Sequence, residues 1–392
     1  MTVNVDRPIL RNRTDSESRI NERTHQMNRS VSRAAALVGC LTIALGLLAA
    51  CGAPSTAQTP GATATASSST APGSAASTPA ASTPAAGDGP RLAYLDDRST
   101  GAAVIASLYN AINFKQYARA YSYWQSMENA PSFADFQQGY EGVEEVQLRL
   151  GTVSSSAGAG QVYSTVPVAL TSIRSDGSTQ TFVGCYTLHL ANPGIQAAPP
   201  FQPLGIDRAR VQQVDNSADT NTLLAQACAQ QNQQSGAQPI PSQSADPADI
   251  SASRYLDDRS SPVQVLRSLG NAINSRQYAR AYSYWQHTQQ APPFDQFEQG
   301  YANTRSVQIE TGTVSEDAGA GQLNASVPVT LIATMSDQST QIFVGCYELH
   351  LANPGIQATP PFTPWGITKA EIKQVDRAAN TTELMAQACA NS

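Results

Sequence analysis

The sequence predicts an α+β protein made of two tandem copies of one domain, each with helices packed on an antiparallel sheet and a closing C-terminal helix. Three observations carry this. Tyr94-Leu-Asp-Asp-Arg-Ser99 recurs as Tyr255-Leu-Asp-Asp-Arg-Ser260, and Trp124, Cys185, His189 and Cys228 recur as Trp285, Cys346, His350 and Cys389, always in the same register. That register runs without a gap from about residue 94 to 230 against 255 to 391, at about 60% identity. Each copy is therefore a unit of roughly 135 residues, the size of a self-sufficient domain and too large and too few for a solenoid repeat. Within each copy the hydrophobic period changes from that of a helix to that of a strand.

The elements follow in order. Thr100, and Ser261 followed by Pro262, suit the cap and first position of a helix that continues through Val104, Leu108 and Ile112, matched by Val265, Leu269 and Ile273. A second short helix follows in Tyr117-Ala-Arg-Ala-Tyr-Ser-Tyr-Trp124, and a third begins after Pro131, where Phe133 and Phe136 stand at helical spacing. The period then becomes two. Val146, Leu148 and Leu150 alternate in a first strand, Val162 to Ile173 forms a second and Thr179 to Leu190 a third. Ser175-Asp176-Gly177 reads as the hairpin turn and Ser156 to Gly160 as a looser connection. Asn192-Pro-Gly194 and the proline-rich stretch Ala198 to Pro203 interrupt the sheet before a last strand, Ala209 to Val214. A closing helix, Thr220 to Ala229, delivers Cys228. Helices first and antiparallel strands afterwards define the α+β class.

Ahead of the copies, residues 1–51 are organised as a secretory leader. Ala34 to Ala50 carries no charge, follows Arg29 and Arg33, and closes in Leu48-Ala49-Ala50-Cys51. The small residues before Cys51 resemble a bacterial lipobox. The resemblance implies cleavage before Cys51, diacylation of its thiol and a new amino group open to a further chain; two or three chains make a stable anchor where one is marginal. Leu37-Val38-Gly39-Cys40 has the same four-residue pattern but leaves only a short apolar stretch upstream. The competing reading, an uncleaved transmembrane helix, has roughly 17 apolar residues, the lower limit of a span, and no basic stop signal behind it. The first 26 residues mix Asp6, Asp15, Glu17 and Glu22 with five arginines, whereas Met27 would begin a signal of ordinary length, which makes Met27 a candidate start.

Residues 52–90 are almost wholly Ala, Ser, Thr, Pro and Gly, a composition that buries too little apolar surface to offset the entropy of ordering, and are expected to be a disordered tether. Its reach lies between about 35 Å as a flexible coil and about 120 Å with the prolines extended. The first repeat then spans 91–229, a polar linker with Pro239, Pro241 and Pro247 spans 230–253, and the second repeat spans 254–392. Such a linker lets the domains move independently unless they dock. The expected location is the bacterial cell membrane, lipid-anchored and facing the extracytoplasmic side.

Charge and cysteines fit that location. The formal net charge is −6, and residues 1–33 hold seven arginines against four acids, so the remainder carries about −9 and lacks the basic footprint of a nucleic-acid binder. With Cys40 removed and Cys51 acylated, four cysteines remain: Cys185, Cys228, Cys346 and Cys389. Four allow three connectivities, and duplication favours one bond within each copy, worth on the order of 4 kcal/mol in the chain-entropy model. Two buried free thiols per domain are the alternative. The cysteines of each pair are too far apart in sequence for a zinc cluster.

The stretch Asn110-Ala-Ile-Asn-Phe-Lys-Gln-Tyr-Ala-Arg-Ala-Tyr-Ser-Tyr-Trp124, its copy Asn271 to Trp285, and the order of elements around them resemble the nuclear transport factor two-like superfamily, also called the cystatin-like or SnoaL-like fold. The resemblance covers each repeat nearly whole and rests on shape more than on signature residues. It implies a curved sheet wrapped around helices to leave a cone-shaped cavity, used by isomerases, dehydratases and cyclases or kept as a binding module. The closing helix with its cysteine departs from the family pattern.

In members that resemble ketosteroid isomerase or scytalone dehydratase, Asp, His or Tyr lies in the cone with a pKa shifted by burial. The histidine shared by both copies, His189 and His350, alternates with the cysteine on the third strand, which points it away from Tyr186 and toward the closing helix; a lone strand histidine is more often packed than catalytic. Asp96, Asp97 and Arg98, with Asp257, Asp258 and Arg259, stand just before a helix, where carboxylates serve as caps. Trp124 and Tyr121 share a helical face, which leaves Tyr123 to face elsewhere. The candidate pocket residues are Tyr121, Trp124, Tyr140, Tyr186 and His189, with Tyr282, Trp285, Tyr301, Tyr347 and His350. Tyrosines with few charges suit a carbohydrate, a peptide, a cell-wall fragment or a small hydrophobic ligand. Ala157-Gly-Ala-Gly160 is a hairpin connection and not a phosphate loop, because no strand-to-helix transition follows it. No catalytic residue, metal or cofactor is assigned. The function expected is a surface lipoprotein whose duplicated domains bind or scaffold without chemistry, its partners the membrane lipid at Cys51 and one of those ligands. The alternatives are a cavity enzyme of the isomerase or dehydratase type and a passive spacer.

Overall fold

Thr100 and Ser261 do cap the first helix of each repeat. The Thr100 hydroxyl accepts from the Ala103 amide at the start of α1 (Gly101–Asn113), and Ser261 accepts from Gln264 at the start of α5 (Pro262–Asn274). Pro262 stands in the first turn, where its missing N–H leaves no bond unmade. The structure, a computed structural model, describes residues 93–229, 255–286 and 291–390. The signal, lipidation, tether and linker assignments fall outside these residues. No helix among the described residues is long and apolar enough to cross a membrane.

After α1 the chain reverses through Lys115, held at φ 59°, into α2 (Tyr117–Tyr121), and after α5 through Arg276, at φ 55°, into α6 (Tyr278–Tyr282). The Lys115 and Arg276 conformations fall in the left-handed region, tolerated here because the amide of the next residue is bonded back into the helix. The third helices are α3 (Phe133–Gly139) and α7 (Phe294–Gly300).

The strands are β1 (Val143–Leu150), β2 (Ser154–Gly158), β3 (Gln161–Arg174), β4 (Thr179–Ala191) and β5 (Gly205–Val214), then β6 (Thr304–Thr311), β7 (Ser315–Gly319), β8 (Gln322–Met335), β9 (Thr340–Ala352) and β10 (Gly366–Val375). Each repeat has one antiparallel sheet, ordered β1-β3-β4-β5 and β6-β8-β9-β10. β3 is long enough to carry two partners on one edge: Leu150 lies opposite Val168, and Ser154 opposite Thr165. The looser connection expected at Ser156–Gly160 is therefore mostly a strand, and the turn shrinks to Ala159 and Gly160, both at positive φ.

Alternation along β3 and β4 decides what covers each face. Val166, Val168 and Leu170, with Tyr186, Leu188 and Leu190, join the α1 residues Val104, Ile105, Leu108 and Ile112 in one core. Ala169 and Val183 point the other way and meet Leu224 of the closing helix α4 (Thr220–Gln226). The closing helix thus lies on the face opposite α1, and not over the tyrosine-lined face. Cys185 is bonded to Cys228 and Cys346 to Cys389, with Cα–Cα distances of 5.2 Å, tying α4 and its copy α8 (Thr381–Gln387) to the sheets.

The two repeats dock on each other, and the described residues of both fall in one compact unit. Asp97 and Asp258 form an antiparallel bridge. Across it the Arg98 amide donates to the Asp257 carbonyl and the Arg259 amide to the Asp96 carbonyl, each at 2.7 Å. The Asp96 amide donates to the Ser260 hydroxyl at 2.9 Å and the Asp257 amide to the Ser99 hydroxyl at 3.0 Å. Tyr94 packs on the core of the second repeat and Tyr255 on that of the first. The expected independent movement gives way to this junction.

Candidate functional site

Asp96 and Asp257 of the Asp-Asp-Arg triplets are buried, and the role of the triplets is larger than capping. Asp97 does stay local, accepting from the Ser99 amide. Asp96 turns inward, accepting from the hydroxyls of Tyr123 at 2.9 Å and Tyr94 at 3.1 Å, with the Arg98 guanidinium at 3.7 Å. Arg98 lies over the Tyr123 ring at 4.5 Å and Arg119 over the Tyr94 ring at 4.6 Å. The second repeat repeats this with Asp257, Arg259, Tyr284, Arg280 and Tyr255. Arg119 and Arg280 are fully buried, which charged residues tolerate only when paired. Arg119 donates to the Leu95 carbonyl and to Asn110, and Arg280 to the Leu256 carbonyl and to Asn271. Burial opposes ionisation of Asp257, but the guanidiniums of Arg259, Arg280 and, from the other repeat, Arg98 outweigh it and hold its carboxyl below the ordinary range. Burial raises Asp97 instead, and Asp258 and Asp257 across the junction add to the rise while its bonds to Ser99 oppose it.

Tyr121, Trp124, Tyr140 and Tyr186 all lie at the core between the helices and the sheet. Tyr121 stands edge-on to Phe133 and Phe136, and its hydroxyl donates to the Pro131 carbonyl. Tyr140 stacks on Tyr117 at 6.3 Å. The Tyr186 hydroxyl shares a 2.8 Å hydrogen bond with that of Tyr109, and burial pushes its pKa up to about 12. Tyr282, Trp285, Tyr301 and Tyr347 take the same places in the second repeat, where burial pushes Tyr301 up to about 12. Tyr123, which helical spacing leaves facing elsewhere, is fully buried beneath Arg98. The backbone following α2 explains this: Gln125 donates to the Ile206 carbonyl and Ile206 to that of Tyr123, so the segment is pinned to β5 and presents both faces to protein.

His189 is on the cysteine face of β4, as alternation requires, but its neighbours are Gln125, Gln161 and Tyr163. Nδ1 lies 2.8 Å from Gln125 Oε1 and Nε2 lies 2.5 Å from Gln161 Oε1; His350 has the same contacts with Gln286 and Gln322, at 2.9 and 2.6 Å. The Gln286 amide nitrogen donates to the His350 and Pro364 carbonyls, which fixes its oxygen toward Nδ1–H. Burial lowers the His189 pKa, and the charge of Asp207 opposes the shift. Both ring nitrogens are committed to amides. The four glutamines are absent from the sequence-based candidates; the signal available was that each recurs in register, Gln125 with Gln286 and Gln161 with Gln322.

The repeats differ where α5 faces β6. Gly270 stands in the place of Tyr109, leaving a shallow groove of about 250 Å³ lined by Leu266, Arg267, Gly270, Asn274, Val307 and Ile309. The Asn274 side chain is spent on the Val307 backbone, donating to its carbonyl and accepting from its amide. Trp365 in place of Leu204 returns bulk to the same core. Among the described residues no group of three or more His, Cys, Asp and Glu is placed to hold a metal ion. No protein-family model matches the sequence, and no curated protein matches it either.

Proposed function

We propose that this chain is a lipid-anchored extracytoplasmic protein of the bacterial cell membrane, whose twin domains of the nuclear transport factor two-like kind act as one rigid binding or scaffolding body. The observation that carries the non-catalytic part is the fate of the groups a cavity enzyme would use. The shared histidines have both ring nitrogens engaged by glutamine, and the interior tyrosine hydroxyls are bonded to each other, to backbone or to the arginine-paired carboxylates of Asp96 and Asp257. A general base needs a free lone pair within reach of a substrate. Support for the fold kinship is the order of three helices before a meander, with α1 on one sheet face. Support for the location is one disulfide per repeat, a bond that persists in oxidising compartments, together with the leader that ends at Cys51.

The experiment is expression of the full chain and of its Cys51→Ser variant in a bacterium, followed by fractionation and mass spectrometry of the mature amino terminus. The account expects an acylated Cys51 terminus in the membrane fraction, and loss of both acylation and retention in the variant. An unacylated wild-type chain in the cytosol, with its thiols reduced, would contradict it.

A further inference from the structure

We propose that Tyr94–Ser99 and its copy Tyr255–Ser260 form a self-pairing surface, through which a repeat docks on a second copy of itself between chains as well as within one. Among the described residues, the backbone and serine hydrogen bonds across the junction are each made twice with the roles exchanged. Arg98 donates to Asp257 as Arg259 donates to Asp96, and the Ser260 hydroxyl receives Asp96 as Ser99 receives Asp257. Tyr94 and Tyr255 cross over to the opposite cores in the same reciprocal way. That is the pattern of an isologous contact, in which one surface is its own complement. Because both segments read Tyr-Leu-Asp-Asp-Arg-Ser, a first repeat offers another first repeat the same donors, acceptors and rings that it offers the second. The pairing then needs no linker. The partner it fits is a second copy of this chain.

The test places a specific protease site within residues 230–253 of the full chain. After cutting, the halves are expected to co-elute at the size of the intact protein. When two cut preparations with different tags are mixed, tagged first repeats are expected to be recovered with untagged first repeats. Separation of the halves on cutting overturns the proposal, and so does recovery confined to first-with-second pairs. A Ser99→Ala/Ser260→Ala variant removes the two hydroxyl acceptors at the junction while leaving the carbonyl acceptors and the sheets intact. Its cut halves are expected to dissociate on the order of tenfold to a hundredfold more readily, from two lost hydrogen bonds; unchanged dissociation would place the affinity elsewhere and overturn the assignment to this segment.

Discussion

Asp257 and Asp97 are two carboxyls of one junction that respond to pH in opposite senses. Asp257 titrates below its ordinary value of 3.8, since three guanidiniums outweigh its burial. Its folded-state ionisation therefore contributes stability that is present above pH 4 and is lost as pH falls through the depressed pKa. Asp257→Asn should lower stability at pH 7 by about 3–5 kcal/mol, because it leaves Arg259 and Arg280 buried without their countercharge. The gap to wild type should narrow at pH 3, as urea titrations at the two pH values would reveal. Asp97 is raised by burial and by the facing carboxylates, so its charge opposes folding at neutral pH. Asp97→Asn keeps the oxygen that accepts from Ser99 and should raise the urea midpoint at pH 7, with no gain left at pH 3, where the native carboxyl is already protonated. A lower midpoint at pH 7 would contradict this reading.

At the scale of elements, the closing helices depend on their disulfides to different degrees. α4 packs Leu224 against Ala169 and Val183, whereas α8 has no fully buried side chain and touches the sheet through Met385 near Thr330. Reduction should cost each repeat about 2–4 kcal/mol. Amide exchange should rise throughout α8, less in α4, and little in β3 and β8; equal loosening of the two helices would refute the ranking. These helices, like α1 and its cap, were legible because cap residues and apolar spacing coincide in Thr100 and Val104. β2 was not, since Ser154 to Gly158 offers no alternating apolar residue and is a strand only because β3 runs long enough to pair with it. The junction was illegible for another reason. Asp96-Asp97-Arg98 has the composition of a helix approach, and its partners stand 161 positions away; exact duplication of the six residues was the one available hint. The glutamine clamps on His189 were hidden likewise, as an amide side chain carries no pattern of its own.

For the whole molecule, duplication has produced one docked pair in place of two beads on a string. The charge network crosses the junction, with Arg98 acting on Asp257 and Asp96 on Arg259, and the crossed tyrosines join each core to the other repeat. Ion pairs removed from water in this way are costly to break singly, so the pair should behave as a unit. The most direct measurement is hydrogen exchange at the amides of Arg98 and Arg259, whose acceptors lie solely in the opposite repeat. The account predicts protection at both, comparable to the central strands β3 and β8 and lost together. Exchange at the rate of an unfolded chain, with the sheets still protected, would show two domains that fold side by side without docking.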